Sequence, residues 1–341
     1  MRSTTYLLVF LVFMSCVEKK KAKPFTTVEV ETILEDSLSI RAIELMDNSL
    51  AFATNKGIFG NIDLTTNKIR LNVQQYDSML PEFRAVAHTA TDFFMLSVAS
   101  PALLYKTGNN GMELVYKEEG STVFYDAMTF WNDQEGIAMG DTVDGCLSII
   151  ITRDGGQSWN KIPCSELPTG AEAEGAFAAS NTNIKTIGNK VWIATTSSRI
   201  YYAADKGKTW EIFTTPIAKD KPAQGIYSID FNDENLGIAI GGDYTTPDDN
   251  TSNKAITKDG GRTWKLIADG QEPDYKSCIQ FVPNTNGNWV VASGFTGLSY
   301  SSNMGDNWSK LSDESFYTLR FLNDSIAYAA GKNRIAKLTF K

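Results

Sequence analysis

Short apolar stretches alternate with polar turns along almost the whole chain. Representative stretches are IAMG (137–140), WIAT (192–195), IAIGG (238–242) and WVVAS (289–293). Each is short, rich in β-branched or aromatic residues and bounded by turn-forming residues, which is typical of β-strands. After the N-terminal segment no useful length of sequence keeps an apolar period of 3.6 residues, so the pattern predicts an all-β fold.

Two patterns recur along the chain. The first runs strand, tight polar turn, tryptophan, strand, and occurs in ITRDGGQSWNKI (151–162), YYAADKGKTWEIF (201–213), ITKDGGRTWKLI (256–267) and YSSNMGDNWSKL (300–311). Its turns resemble the Asp-box, S/T-x-D-x-G-x-T-W, which residues 152–159 and 257–264 fit fully, whereas Ala203 and Asn303 depart from it. The second pattern, strand, Asn-Asp turn, strand, precedes the first, as in MTFWNDQEGIAMGD (128–141) and IDFNDENLGIAIGGD (229–243).

Together the two patterns divide the chain into seven four-stranded units. These run over 40–72, 83–117, 124–162, 176–213, 226–267, 276–311 and 315–340. A repeat of about 43 residues is the size of a β-propeller blade. The last unit lacks an outer strand, and FTTVEVETIL (25–34) is an unused strand before the first unit. We therefore predict a seven-bladed β-propeller over 25–341, in which 25–34 pairs with the last unit and closes the ring.

Seven strings in this order resemble a known family. Among them are FRAVAH (83–88), FYDAMTFW (124–131), GGDYTTPD (241–248) and RIAKL (334–338). The chain resembles bacterial lipoproteins and secreted proteins related to the plant photosystem II stability/assembly factor, over essentially all of 40–341. The resemblance implies a seven-bladed propeller of BNR-type repeats, in the wider WD40/YVTN-like class. The plant proteins help to assemble a membrane complex, and many members carry the label oxidoreductase or glycosyl hydrolase.

The first sixteen residues predict an export signal. Arg2 precedes nine apolar residues at 6–14, too few for a membrane-spanning helix of about 20 residues. Ser15 before Cys16 resembles the lipobox of bacterial lipoproteins, in which the cysteine carries the lipid; an ordinary secretory signal is the alternative. We expect a signal peptide at 1–15 and a lipidated Cys16 on a flexible tether through residue 24. The protein would then be exported and anchored in the outer membrane or on the periplasmic face of a membrane.

Composition and charge exclude several function classes. The formal net charge of −8 repels phosphate backbones, so we expect no nucleic-acid partner. A single histidine, His88, disfavours metal sites and Ser/His or Cys/His catalysis. No G-x-G-x-x-G or C-x-x-C motif is present, so we expect neither a cofactor nor a metal. Cys146 and Cys164 flank a predicted hairpin, and both a disulfide between them and three buried thiols, with Cys278 as the third, remain open.

The order of strands within a blade predicts where ligands bind. The turn residues are assigned a structural role, in which aspartates accept hydrogen bonds from turn amides and tryptophans pack between sheets: Asp154, Trp159, Asp205, Trp210, Asp259, Trp264 and Trp308. First strands begin, and second strands end, on the face opposite these turns. The residues expected to converge there, at one mouth of the central channel, are Arg41, Arg84, Asp126, Asp141, Asp144, Glu174, Asn181, Asp243, Tyr244, Lys276 and Arg320. The alternative is a solvated channel whose charges pair with one another.

The function expected from these features is binding. We expect a monomeric, lipid-anchored scaffold for a protein partner in the cell envelope, with no catalytic residues. The alternative is a glycan-binding or sialidase-like propeller, in which Arg41, Arg84 and Arg320 would share a carboxylate near Tyr125 or Tyr244. A literal oxidoreductase is favoured least. The aspartates of loop 243–254 could hold calcium or simply form turns.

Overall fold

The computed structural model describes residues 23–341, and the predicted signal peptide and the predicted lipidation site at Cys16 lie outside this range. Within it, 28 strands form seven four-stranded antiparallel sheets. The first strands of neighbouring sheets contact one another around a ring, and that of the seventh sheet contacts that of the first. The seven-bladed propeller is therefore confirmed. The one helical element of 23–341 is a 3-10 turn at Cys164–Glu166, and no described helix is long and apolar enough to cross a membrane.

Each blade is a simple meander of four strands. Blade one consists of β2 (Ala42–Met46), β3 (Ser49–Ala53), β4 (Ile58–Asp63) and β5 (Ile69–Val73). Blade two consists of β6 (Phe83–His88), β7 (Phe93–Ser97), β8 (Ala102–Gly108) and β9 (Gly111–Glu118). Blade three consists of β10 (Tyr125–Phe130), β11 (Gly136–Val143), β12 (Cys146–Thr152) and β13 (Asn160–Lys161).

The other blades follow the same order from channel to rim. Blade four consists of β14 (Ile184–Ile187), β15 (Lys190–Ala194), β16 (Arg199–Ala203) and β17 (Glu211–Thr214). Blade five consists of β18 (Gln224–Phe231), β19 (Gly237–Asp243), β20 (Lys254–Thr257) and β21 (Lys265–Leu266). Blade six consists of β22 (Cys278–Phe281), β23 (Val290–Gly294), β24 (Gly297–Ser301) and β25 (Ser309–Ser312). Blade seven consists of β26 (Thr318–Phe321), β27 (Ile326–Ala330), β28 (Lys332–Phe340) and β1 (Val28–Ser39).

The ring closes with the N-terminal strand, as predicted. Strand β1 pairs antiparallel with β28 from Val28 opposite Phe340 to Ser39 opposite Lys332, so it extends beyond the predicted 25–34. Phe25 precedes it and packs its ring 4.8–5.0 Å from the ring centres of Trp289, Tyr300 and Phe340. The start of the chain is thereby fixed to blades six and seven.

The core is divided among the spaces between blades. Each space holds one cluster of buried apolar side chains, because both faces of every sheet are covered. Strand β3 shows how the sequence achieves this: Leu50 and Phe52 face blade seven, whereas Ala51 and Ala53 face blade two. Large and small side chains alternate with the period of the strand, so neighbouring sheets can interdigitate.

Four turns containing tryptophan join the third and fourth strands of blades three to six. In the first, the Thr152 hydroxyl donates to Asp154 at 2.8 Å and accepts the N–H of Gly156 at 2.9 Å. Asp154 also accepts the N–H of Ser158 at 3.0 Å. The same three bonds recur in the turns that contain Asp259 and Asn303. In the turn that contains Asp205 only the bond from the N–H of Thr209 recurs, because Ala203 has no hydroxyl group.

The tryptophans of these turns are engaged within the fold. Trp159 is buried against Phe94 and Phe130. The other three donate their indole N–H to a glycine carbonyl of their own turn, at 2.8–3.1 Å: Trp210, Trp264 and Trp308. The motif therefore serves the fold, although the buried indole N–H of Trp159 has no hydrogen-bond partner among the described residues.

Cys146 and Cys164 form a disulfide, with 5.5 Å between their Cα atoms. Cys146 begins β12, but Cys164 lies in the 3-10 turn after β13 and not opposite it on a paired strand. Cys278 is a buried thiol. Of the two alternatives left open by the sequence, the structure contains the bridge.

Candidate functional site: the channel mouth

A cavity of about 510 Å³ opens at the face where first strands begin and second strands end, opposite the tryptophan turns. We call it the mouth. Its lining residues are Arg41, Arg84, Phe124, Ala176, Phe177, Ala178, Ala179, Tyr227, Tyr244, Tyr275, Ser277, Phe295 and Tyr317. Seven of these are aromatic and none carries a carboxylate or an amide side chain, so the mouth offers flat apolar surface and positive charge.

One strand position, matched in six of the seven blades, supplies much of this lining. In blades two, three and five the first strand carries a β-bulge, so that one residue is skipped in the pairing with the second strand. A bulge turns its extra residue out of the regular alternation, here at the channel end of the strand. In blades one, six and seven the matching residue directly precedes the first strand. The six matching residues are Arg41, Arg84, Asp126, Tyr227, Ser277 and Tyr317.

Blade four contributes a loop instead. Its first strand begins at Ile184 and not near 176 as the predicted unit did, and residues 176–179 line the mouth. Glu174 anchors this loop: it is buried and accepts hydrogen bonds from the Thr195 hydroxyl at 2.6 Å and from Arg199 Nε at 2.9 Å. Burial opposes ionisation of Glu174, but the bonds from Arg199 and Thr195 outweigh it and lower its pKa. Glu174 therefore positions the mouth without lining it.

Four rings form a continuous surface on one side of the mouth, which we call the aromatic wall: Phe177, Tyr227, Tyr275 and Phe295. Phe177 stacks on Tyr227 with 3.8 Å between ring centres and 4° between planes. Tyr275 meets Tyr227 edge-on at 4.8 Å, and Phe295 lies 5.1 Å from Tyr275. Phe295 is 40% exposed and the neighbouring Tyr244 53%, so this side of the cavity ends in open ring faces.

The two arginines of the mouth differ in their partners. Arg84 Nε donates to Glu82 at 2.7 Å. The Arg41 guanidinium lies 4.3 Å above the ring of Tyr317, and no carboxylate of residues 23–341 lies within ion-pairing distance of it. Burial and the nearby charge of Arg84 lower the pKa of Arg41. Arg41 is thus a partly desolvated cation with room for an anion.

Asp126 and Asp141 form a buried acid pair behind this lining. Asp126 is fully buried and neither of its carboxyl oxygens meets a protein donor, whereas Asp141 accepts the N–H of Ala176 at 3.3 Å. Burial raises the pKa of Asp126 well above its ordinary range, the charge of Asp141 raises it further, and Arg84 opposes both only weakly. Burial also raises the pKa of Asp141.

The acid pair holds a proton more readily than a metal ion. Two carboxylates make only a partial ligand set, no group of three potential ligands occurs within the described residues, and Arg84 lies near enough to repel a cation. When Asp126 is protonated, its O–H can donate a hydrogen bond to Asp141, which gives one of its two unpartnered oxygens a partner.

Arg320 does not belong to the mouth. It lies three residues beyond Tyr317 along blade seven, and its Nη2 pairs with Glu44 at 3.1 Å. Arg41, Arg84 and Arg320 therefore do not converge on one cavity, and the expectation that all three do is wrong. Tyr125 is buried between blades two and three, where its hydroxyl donates to Glu118 at 2.6 Å. The arrangement that a sialidase-like site would need is not assembled by these residues.

Three other predicted residues also point elsewhere. Lys276 is fully buried, paired with Asp274 and bonded to Thr296 at 2.8 Å. The Asn181 amide accepts the N–H of Met128 at 2.9 Å and donates to the Val86 carbonyl at 2.7 Å, tying blades together. Asp144 occupies the exposed turn between β11 and β12 and does not line the cavity. Lys276 and Asn181 are thus paired internally, and Asp144 is exposed to solvent.

Asp243 supports the mouth indirectly. It accepts the N–H and the hydroxyl of Thr245 at 2.8 and 2.6 Å, which fixes the turn that carries Tyr244. Asp249 in the same loop accepts the N–H of Thr251 at 3.0 Å. Both aspartates therefore stabilise turns, which is one of the two roles that the sequence allowed for this loop; the other was calcium binding.

Most of the mouth is aromatic, and the aromatic wall was not predicted. A signal for it exists in the sequence: Tyr227 and Tyr317 stand at the same strand position as Arg41 and Arg84. Likewise Phe295 follows the second strand of blade six as Tyr244 follows that of blade five. Aligning the first strands by position reveals Tyr227 and Tyr317, and aligning the ends of the second strands reveals Tyr244 and Phe295.

Solved structures resemble this chain over nearly its full length. "YCF48 bound to D1 peptide" is 13% identical, with a TM-score of 0.65, covering 94% of this chain and 98% of that chain. YCF48 from Cyanidioschyzon merolae is 12% identical, with a TM-score of 0.62 and coverage of 92% and 98%. The RRP9 WD40 repeats are 10% identical, with a TM-score of 0.66 and coverage of 93% and 99%. The likeness shows the propeller fold.

Sequence comparison reaches less of the chain. The model of the family described as "Sortilin, neurotensin receptor 3" (Sortilin-Vps10) matches residues 147–288, which is less than half of the protein. No curated protein sequence matches significantly.

Proposed function

We propose that this protein is a lipid-anchored scaffold of the cell envelope that binds an extended segment of a protein partner in the mouth. The observation that carries the proposal is the open guanidinium of Arg41 beside an exposed aromatic surface. A concave, largely apolar site with a few convergent polar groups is the usual form of a binding site. Aromatic and arginine side chains are also those that contribute most to protein recognition.

The composition of the mouth favours a peptide over a glycan. A sugar presents many hydroxyl groups, which protein sites commonly satisfy with carboxylate and amide side chains. The mouth contains none of these, and the Tyr227 hydroxyl already donates to the Ala223 carbonyl at 2.7 Å. A buried glycan would leave hydroxyls unpaired, at a cost of about 1–3 kcal/mol each.

The solved structures lend support of a different kind. One propeller of similar architecture, YCF48, has been determined with a D1 peptide bound. The sequence also resembles the family of the plant photosystem II stability/assembly factor. Both favour an assembly role, in which the propeller holds part of a partner during formation of a membrane complex.

Anchoring through Cys16 is consistent with the chemistry and geometry of the described residues. A disulfide between Cys146 and Cys164 is expected of a protein exported to an oxidising compartment. Strand β1 ends at Ser39, close to Arg41 at the mouth, so its start at Val28 lies towards the opposite face. A tether leaving from residue 23 would then turn the mouth away from the anchoring membrane.

The proposal is tested by photo-cross-linking in intact cells. A photoreactive phenylalanine analogue at Phe295 should yield one defined protein adduct, which Arg41→Ala should abolish or greatly weaken. The same analogue at Asn307, exposed on the opposite face, is the control. Equal adducts from both positions, or none from Phe295, would contradict binding at the mouth.

A separate experiment tests the anchor. Wild-type protein should fractionate with membranes and incorporate labelled fatty acid, whereas Cys16→Ser should do neither. Membrane association that survives Cys16→Ser would remove the lipid from the proposal.

A further inference from the structure

The exposed aromatic side chains of this protein are concentrated at one place. Within residues 23–341, eight large hydrophobic side chains are exposed, and six of them are aliphatic and lie outside the mouth. The only two that are aromatic, Tyr244 and Phe295, both line it. Exposed rings that border a cavity lose little conformational entropy on binding and are typical of recognition surfaces.

Local structure holds these two rings in place. Gly242 has a φ of +120°, a backbone conformation that favours glycine. A Cβ atom at this position would lie 3.4 Å from the Cα of Tyr275, so the turn packs closely against that residue. Asp243 then fixes the turn through Thr245. Phe295 packs on Tyr275 with 5.1 Å between ring centres, and Tyr244 lines the same cavity as these two rings. The open surface is therefore preorganised.

The geometry of the wall suits a further ring. Its members already stack face to face and edge to face, with ring centres 3.8–5.1 Å apart. These are the separations at which aromatic pairs attract beyond the effect of buried area. An aromatic side chain placed on Phe295 and Tyr244 would continue the series, whereas an aliphatic one would gain burial alone.

The charge of the mouth limits the rest of the ligand. Arg84 is engaged by Glu82, whereas Arg41 is held on Tyr317 without a carboxylate. Arg41 lines the same cavity as Tyr227, Tyr275 and Phe295, so its guanidinium lies beside the aromatic wall. The mouth thus has room for one carboxylate close to one ring.

We propose that the mouth recognises an extended segment carrying an aromatic side chain two residues from a single carboxylate. Side chains two residues apart lie on the same side of an extended chain, about 7 Å from each other. The ring would rest on Phe295 and Tyr244, and the carboxylate would pair with Arg41. This inference rests on the proposed peptide binding and specifies its ligand.

The test is a selection of random linear twelve-residue peptides displayed on phage, against the full chain purified in detergent. Enriched peptides should share an aromatic residue two positions from Asp or Glu. Replacing the aromatic residue of a synthetic peptide by leucine should weaken binding about fivefold, measured by fluorescence polarisation. The protein variant Arg41→Ala should bind the unmodified synthetic peptide about tenfold more weakly than the wild-type protein does.

The protein variants are chosen so that loss of fold is recognised. Tyr244→Ser and Phe295→Ser remove exposed rings, and both should weaken the peptide while thermal unfolding stays unchanged. Leu322→Ser is the matched control, because Leu322 is 42% exposed but lies in a turn on the opposite face. It should leave binding intact.

The outcomes separate the inference from the proposed function. If the enriched peptides are acidic but lack an aromatic residue, and Arg41→Ala abolishes their binding, the inference is overturned while peptide binding at the mouth stands. Peptides that bind all mouth variants equally, or a failure to enrich any peptide, would overturn both.

Discussion

Replacing Asp126 by asparagine is expected to stabilise the propeller at neutral and alkaline pH. The folded protein keeps a proton on Asp126, because its carboxyl group is fully buried beside Asp141 and meets no other donor. In the unfolded chain the same carboxyl group is ionised above its ordinary pKa of 3.8. Asparagine would place an N–H where the shared proton lies and could donate it to Asp141 at any pH.

The sign follows from proton linkage. Because the folded-state pKa of Asp126 is raised, the folded protein binds more protons than the unfolded chain between pH 3.8 and that raised pKa. Stability contributed at this site therefore falls as the pH rises through that window and is intact below it. A buried polar group without its partner costs about 1–3 kcal/mol, so we expect Asp126→Asn to gain about that much at pH 8 and close to nothing near pH 3.5.

Urea denaturation at several pH values measures this difference, provided that the slope with denaturant stays constant. Asp230→Asn is the matched control. Asp230 is also buried on a first strand, but it accepts the N–H of Phe281 at 2.8 Å and pairs with Lys185 at 2.6 Å. It should lose stability. The reasoning is refuted if Asp126→Asn destabilises at pH 8, or if its gain is the same at pH 3.5 as at pH 8.

Two further substitutions and reduction of the disulfide test the fold by the same denaturation assay. Phe25→Ala should cost about 3–5 kcal/mol, because it empties the space between three rings where the chain closes; a cost below 1 kcal/mol would show that β1 closes the ring without it. Reducing the Cys146–Cys164 disulfide should cost about 2–4 kcal/mol, and no change on reduction would mean that the bridge is not formed in solution. Tyr125→Phe should cost about 1 kcal/mol by removing the hydrogen bond to Glu118, and a neutral result would contradict that bond.

The fold was predictable because its information is local and repeated. A strand buried on both faces is a short apolar run between turn residues, and β3 or β19 can be recognised from five to seven letters. Pairing follows from order in a meander, so no long-range register had to be guessed. The exception is blade four, whose predicted start at 176 is apolar like a strand. Those residues leave the sheet because Gly175 lies against Asp141 and the loop after it is held by Glu174.

The site was predictable in position but not in composition. In the sequence, a charged residue at the end of an apolar strand stands out as a candidate for binding. An aromatic residue at the same place cannot be distinguished from the core. Lys276 shows the resulting error: Ser277 holds the position that lines the mouth, and the buried charge of Lys276 is paired with Asp274. Side-chain pairing depends on neighbours that the sequence does not reveal. The prediction that Arg320 lines the mouth missed its pairing with Glu44 for the same reason.

Arg320 also shows how the channel is organised along its length. Arg320 lies three residues beyond Tyr317, and its partner Glu44 lies three residues beyond Arg41. The two side chains therefore meet between blade seven and blade one, in a layer below the mouth. Lys185 and Asp230 pair in the same way across blades four and five. Charges of this lower layer are already neutralised, whereas the upper layer holds the one guanidinium without a carboxylate. A partner segment therefore gains electrostatic energy on reaching the mouth and none by passing deeper, which favours capture at the face over passage through the channel.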